Sequence, residues 1–549
     1  MKSSGKKAVN SGAKKRMTRR ELLKYAAVAG PLLHAGMGLK ATTSQPLPIR
    51  NVIVFLTDQE RAIQHFPEGW ESQNLPGLTR LKQSGVSFEN AFTNACMCSP
   101  ARSTLMSGYF PAQHGVKYTL EDNMTDPCVN PQVELPVNLN NVATVMSAAG
   151  FNVVYKGKWH CSKASTAADL ATYGFQRWNP PDAGANQDPS QAGGGKTDIP
   201  ANLPNDQRIM YGAAYDQEGA IDYLKSEAAK QQPFFLVVSL VNPHDVLAYP
   251  TTWDMRQPGD FGYDDSVLVG NIGIPDTIEE NLSTKPTVQS QFLNLSKLLG
   301  PLPTLRMQQN YLNFYGNLMK MSDNYLVQLL DTLTDLGLLE NTLIIRTADH
   351  GEMGLTHGGQ RQKNFNFYEE STRVPLVYSN PKMYKQAFQS KSIVSHVDFL
   401  PTIASLFEAP SSARAAWQGI DYSDLVLHPS SRPLQDYTVF TYDDFQSGQM
   451  MGPYPGISFP PFAPAPNHIV SIREDRYKLA EYYSIAPSQC EDYSIAPSQW
   501  EMYDRLKDPL ETQNIAWPTF QRTREQQKEF ERLQEKLQLV QATRLQSLG

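Results

Sequence analysis

The chain has 549 residues, of which 40% are hydrophobic, 19% charged and 10% aromatic, so disorder, collagen and coiled coil are excluded as descriptions of the whole. Five cysteines are too few for a disulfide-stapled scaffold. The net charge of −6 conceals a split: residues 1–41 hold ten Lys/Arg and one acid, and the remainder holds 39 bases and 54 acids, a body at −15 that is ill suited to nucleic acid.

The basic head reads as an address. Arg19–Arg20 leads through Leu22, Leu23 and Lys24 into a weakly apolar run, Tyr25 to Leu39, broken by Pro31 and His34. The run is shorter than the ~20 residues a membrane span needs. A basic start, a short apolar stretch and small residues near Ala41 suit an export signal instead. The arginine pair resembles the twin-arginine class. Residues 1–41 are therefore expected to be a signal peptide carried by the twin-arginine translocase. The protein is expected to be periplasmic or secreted, and not integral to the membrane.

From residue 50, strand-like and helix-like segments alternate, which predicts an α/β fold over 50–410 with a large, mostly parallel (mixed) sheet sandwiched by helices. The strands are the apolar runs 51–57, 152–155, 234–241, 342–346 and 374–378. Tyr311, Phe314, Tyr315, Leu318, Tyr325 and Leu329 lie on one stripe of a helix stopped at Gly337. Segments 179–208 and 247–285, rich in Pro, Gly, Asn and Asp, read as long surface insertions. Residues 411–466 read as a connecting segment with a Pro-rich lid. Residues 467–549 read as a smaller α+β subdomain with a hairpin turning at Glu474–Asp475, a short antiparallel sheet and a final helix. Within it, seven residues from Tyr483 recur from Tyr493, a tandem duplication that a loop absorbs at little entropic cost.

Polar chemistry collects just past the strands. Asp58–Gln59 follow the first, Lys158 and His160 the second, Asn242 and His244 the third, and Asp349, His350 and later Lys363 the fourth. In a parallel sheet these ends share one edge, where open α/β folds bind ligands. Taken singly, a strand-end Asp is usually a turn former and a lone His is satisfied by its neighbours; the coincidence raises the reading. A further piece is Cys98-Ser-Pro-Ala-Arg102. Pro100 suits a first helical turn, so Cys98 sits at or just before a helix N-terminus, with Arg102 one turn on. A buried structural cysteine, a redox pair with Cys96 and a protease-type thiolate are the alternatives. The Cys96-Met-Cys98 spacing is wrong for a redox Cys-x-x-Cys, and a protease dyad leaves the strand-end carboxylates unexplained.

Cys98-Ser-Pro-Ala-Arg102 followed by Ser-Thr-Leu-Met-Ser-Gly resembles the signature of the type I sulfatases, members of the alkaline phosphatase-like superfamily. Asp58–Gln59, Gly157-Lys-Trp-His160, Asn242-Pro-His244, Asp349-His-Gly-Glu352, Lys363 and Trp500-Glu-Met-Tyr-Asp504 match family blocks in order, so the resemblance spans about 50–517. It implies an alkaline phosphatase-like fold and release of sulfate from a small sulfate monoester. It also implies oxidation of Cys98 to Cα-formylglycine by the formylglycine-generating enzyme, and one divalent metal per chain. Asp58, Gln59, Asp349 and His350 resemble the metal ligands, and hard oxygens favour Ca²⁺. The family often has Asp at Gln59 and Asn at His350, and the fewer charges and the imidazole leave Mg²⁺ or Mn²⁺ open.

By the same resemblance, a hydroxyl of the hydrated aldehyde at 98 attacks sulfur, with Lys158, Lys363 and Arg102 holding the sulfate oxygens. His244, with Lys363 as a second candidate, protonates the leaving group, and His160 deprotonates the remaining hydroxyl so that sulfate departs. A phosphonate or phosphate monoester hydrolase on the same scaffold is the alternative activity, and an inactive binding protein is a further one. Aryl, choline and sugar sulfates all remain open as substrates.

Overall fold

The computed structural model describes residues 49–548 apart from 121–131, 185–193, 195–199, 251–269, 297–300, 445–464 and 486–495. The expected signal peptide, most of the Pro-rich stretch and the middle of the duplication lie outside the described residues. No described helix is long and apolar enough to cross a membrane.

The strands are β1 (Asn51–Thr57), β2 (Gly85–Phe92), β3 (Ala95–Cys96), β4 (Asn152–Gly157), β5 (Phe234–Ser239), β6 (Thr342–Ala348), β7 (Leu376–Ser379), β8 (Phe388–Ser395), β9 (Tyr437–Asp443), β10 (His468–Glu474), β11 (Tyr477–Tyr483) and β12 (Gln499–Asp504). The main sheet has the order β4-β5-β1-β6-β7-β2-β8. Its first four strands are parallel, β7 runs antiparallel to both neighbours, and β8 is parallel to β2. The mostly parallel α/β sheet expected from sequence is thus present, with one reversed strand. β1, buried at every position, lies inside the sheet between β5 and β6, where a continuous apolar run can be covered on both faces.

The helix Leu305–Asp335 (α2 below) buries Tyr311, Phe314, Tyr315, Leu318 and Leu329 against Ile53, Phe55, Leu236 and Ile344 of the sheet. The alternate strand residues Val52, Val54, Phe235 and Ile345 are buried on the opposite face, as the two-residue period of a strand requires. Gly337, at φ 67°, follows the helix end and adopts the left-handed conformation that halts it.

A second sheet runs β12-β11-β10-β9-β3. The hairpin β10–β11 forms as expected and is joined antiparallel by β12 and β9, the latter from the stretch read as a connecting segment. β3 adds in parallel to β9, so this sheet also takes in residues just ahead of Cys98. The terminal helix Arg524–Thr543 buries Leu533, Leu537 and Val540 against it.

Buried charges are paired where the second sheet meets the loop after β6. Glu369 accepts from Arg473 at 3.1 Å and forms an ion pair with Arg505 at 3.1 Å, and Lys478 lies 2.9 Å from Glu511. Lys285 contacts Tyr503 Oη at 2.7 Å and Glu280 at 2.9 Å. His357 stacks on Tyr368 with centroids 3.6 Å apart, its Nδ1 2.7 Å from Glu280 and its Nε2 3.7 Å from Glu370.

Candidate active site

Parallel pairing sets the site. Thr57 at the end of β1 lies opposite Ala348 at the end of β6, so Asp58–Gln59 and Asp349–His350 leave the sheet side by side. Gly157 at the end of β4 lies opposite Ser239 at the end of β5. Gly157 has φ 99°, and a Cβ there would stand 2.0 Å from the Ser239 carbonyl oxygen, so only glycine lets the chain turn into Lys158.

The helix α1 (Cys98–Ser107) starts at Cys98 and is buried along its whole length. Cys98 Sγ stands 3.2 Å from His350 Nε2 and 3.6 Å from Asp58 Oδ1. One ligand atom each from Asp58, Cys98, Asp349 and His350 lie within 4.8 Å of one another. His350 Nδ1 is 3.0 Å from the Gly351 carbonyl and donates to it, so Nε2 is the nitrogen that faces the cluster.

Arg102 is engaged with the carboxylates of the site. Its Nε donates to Asp349 Oδ2 at 2.8 Å, Nη2 to Asp58 Oδ2 at 2.9 Å, and Nη1 to the Lys158 carbonyl and Ser239 Oγ, both at 2.8 Å. With no exposed surface and four of its five N–H donors taken, Arg102 bridges the two carboxylates. The fork geometry of a guanidinium suits that bridge.

The two lysines also rest on the acidic side of the site. Lys158 Nζ is 2.8 Å from Asp58 Oδ2, and Lys363 Nζ donates to Gln59 Oε1 at 2.7 Å. Gln59 Nε2 donates to Glu352 at 2.5 Å, and Glu352 also accepts from Tyr311 Oη of α2 at 2.8 Å. This hydrogen bonding fixes the amide with its oxygen toward Lys363.

The electrostatics favour a cation. Burial would raise Asp58, but Lys158 and Arg102 hold it well below the carboxylate range. Burial and then the charge of Asp58 push Asp349 up to about 6. Two crowded carboxylates and an imidazole nitrogen form a donor set that fits a divalent metal, which would relieve that crowding and take the place of a proton on Nε2.

The remaining histidines are placed as follows. His244 is buried at the start of a short helical turn, and its Nδ1 has no hydrogen-bond partner among the described residues. Burial and then Lys158 lower it to about 4. His160, also buried, places Nε2 2.8 Å from the Leu120 carbonyl, so Nε2 carries the proton, and Nδ1 has no hydrogen-bond partner among the described residues. Sequence reading missed three supporting groups. Ser239 and Glu352 stood within or beside segments already singled out, but Asp182 lay in a supposed surface insertion. That expectation is corrected: Asn179, Asp182 and Ala183 are buried, because the segment packs on the end of β4.

Residues 50–409 match the sulfatase family, and residues 358–542 match the C-terminal region of N-sulphoglucosamine sulphohydrolase. An ulvan-active sulfatase of Formosa agariphila is 24% identical over 76% of this chain and 73% of its own. A solved 2-O GAG sulfatase superposes with a TM-score of 0.64 at 19% identity, covering 90% of this chain and 91% of that one. A phosphonate monoester hydrolase from Silicibacter pomeroyi shares the fold at a TM-score of 0.61 and 19% identity, covering 91% and 96%. The fold is alkaline phosphatase-like, and the chain belongs to the sulfatase family, enzymes that hydrolyse sulfate esters.

Proposed function

We propose that this member of the sulfatase family cleaves a small sulfate monoester at residue 98, with Cys98 converted to formylglycine and a divalent metal, calcium by preference, beside it. The observation that carries the reading is the convergence of Cys98, Asp58, Asp349 and His350 within 4.8 Å. Asp58, Asp349 and His350, with the amide oxygen of Gln59, would hold the metal. Bound there, a divalent cation would polarise a sulfate oxygen and favour a deprotonated hydroxyl at residue 98. Carrying a hydrated aldehyde, residue 98 would attack sulfur through one hydroxyl and later expel sulfate as the other loses its proton and the carbonyl re-forms.

The chain's own residues do the rest. Lys158 and Lys363 supply the positive charge that faces a sulfate group, while Arg102 holds Asp58 and Asp349 at fixed separation. His244 is the candidate general acid. Its burial disfavours the protonated form in the free enzyme, and a bound anionic ester favours it, so the proton arrives with substrate and passes to the leaving oxygen. His160 is the candidate base. Because Nε2–H is committed to Leu120, the proton from residue 98 goes to Nδ1.

Paired aryl sulfate and aryl phosphate esters test the reaction: sulfate release from the first is expected to dominate, and the reverse would assign the phosphonate or phosphate reading. Peptide mass spectrometry should show residue 98 without its thiol in active protein, and Cys98→Ala should abolish turnover. Active enzyme with an intact Cys98 would overturn the mechanism.

The head of the chain supports export. Arg19–Arg20 and the weak apolar run are the basis for a twin-arginine route to the periplasm. Maturation would then involve the formylglycine-generating enzyme, acting on Cys98 before the fold closes over it.

A further inference from the structure

The supposed insertion around residue 180 grips the turn that carries Lys158 and His160. Trp178 Nε1 donates to the Gly157 carbonyl at 2.8 Å, and Asn179 Oδ1 accepts from Gly157 N–H at 2.9 Å. Asp182 then accepts from Trp159 N–H on Oδ1 and from His160 N–H on Oδ2, both at 2.8 Å. Arg208 anchors this segment by donating to the carbonyls of Pro180 and Pro181, each at 3.0 Å.

Two successive N–H groups on one buried carboxylate make a charge-assisted pair of bonds, stronger than neutral ones. They act at a residue that needs them: His160 has φ 53°, a left-handed conformation that a residue with a side chain keeps only when its surroundings impose it. Asp182 makes no ion pair with a described cationic side chain, so its carboxylate is given over to the turn. Among the described residues the ring has one further anchor, the Leu120 carbonyl, on the nitrogen that is not the base.

We propose that Asp182 is a positioning residue for His160, its carboxylate fixing the Trp159–His160 backbone so that Nδ1 is held ready to take the proton in the sulfate-releasing half of the reaction. This rests on the reading of His160 as base given above. An amide at 182 offers one acceptor where two are needed and sets its own N–H₂ against the second backbone N–H, so the turn loosens without a large change in volume.

The test compares Asp182→Asn with the unaltered enzyme on a nitrophenyl sulfate, following nitrophenol and sulfate separately. In Asp182→Asn the first equivalent of nitrophenol per enzyme should appear at nearly the unaltered rate. Steady-state kcat should fall about 10- to 100-fold, the scale of a misplaced catalytic group, and KM should fall with it. Asp182→Glu, which keeps both acceptors, should recover part of the loss. An unchanged kcat, or a first equivalent slowed as much as the steady state, would overturn the proposal. Should Asp182→Asn fail to fold, Arg208→Lys loosens the same segment one contact away and should give a smaller loss of the same kind. Equal slowing of both products there also counts against it. Failure of the unaltered enzyme to release sulfate would instead reject the function, whatever Asp182 does.

Discussion

His357 makes the stability of this protein depend on pH in a calculable way. Burial alone would lower its pKa, but Glu280 and then Glu370 raise it from 6.5 to about 9. A raised folded-state value means the stabilisation is fully present below about pH 6.5 and disappears as pH climbs through 9; the difference is worth about 3 kcal/mol. Glu370 sets the other limb: burial would raise it, His357 lowers it to about 2, and its contribution is present above 4.5 and lost as pH falls toward 2. The perturbation is His357→Asn, read by urea unfolding with tryptophan fluorescence at pH 6 and pH 9.5. The unaltered protein should lead the variant by about 3 kcal/mol more at pH 6 than at pH 9.5. The stacking on Tyr368 contributes a constant part at both. A gap that does not change with pH would refute the reasoning.

Further outcomes follow from the site. His244→Ala should slow alkyl or sugar sulfates by about 10²–10⁴-fold and a nitrophenyl sulfate far less, because only a basic leaving oxygen needs the proton; equal losses across a leaving-group series would leave Lys363 as the acid. Arg102→Met leaves Asp58 and Asp349 buried without their bridge and should cost about 3–5 kcal/mol in chelator, with part regained on adding Ca²⁺. Identical stability with and without the cation would remove that role. Replacing Arg19 and Arg20 by Lys should hold unprocessed protein in the cytoplasm, and an unchanged periplasmic yield would reject the twin-arginine route.

The sequence disclosed most where one physical cause acted alone. β1 and β6 are legible because strands covered on both faces read as unbroken apolar runs, and their ends place Asp58 and Asp349 together without further information. β8, with Gln389, Ser390 and Lys391 in its first half, is at the sheet edge, so its polarity masks it. β7 is four residues long, and its reversed direction comes from tertiary pairing alone. The contacts of Arg102 were illegible for a similar reason. Its motif position says that it stands beside Cys98, but whether its fork meets substrate or protein depends on Asp58 and Asp349, which arrive from distant strands. Asp182 was illegible because a carboxylate that binds backbone N–H groups leaves no mark on the sequence of the turn it holds.

The two-residue strand β3 imposes a schedule on the chain. Ala95 and Cys96 pair with Thr441 and Tyr442 of β9, and Cys98 follows directly with about 2% of its surface exposed. The partner strand is made roughly 340 residues later, which at 5–20 residues per second is a delay of about 17–70 s. Until β9 emerges, β3 has no edge to pair with, and under the proposed maturation the stretch around Cys98 would be within reach of the modifying enzyme. Afterwards the sheet closes and the thiol is sealed in. If residue 98 matures as proposed, the order in which the ribosome delivers these two strands would time that step, and faster translation or a shortened 100–437 region would narrow the interval.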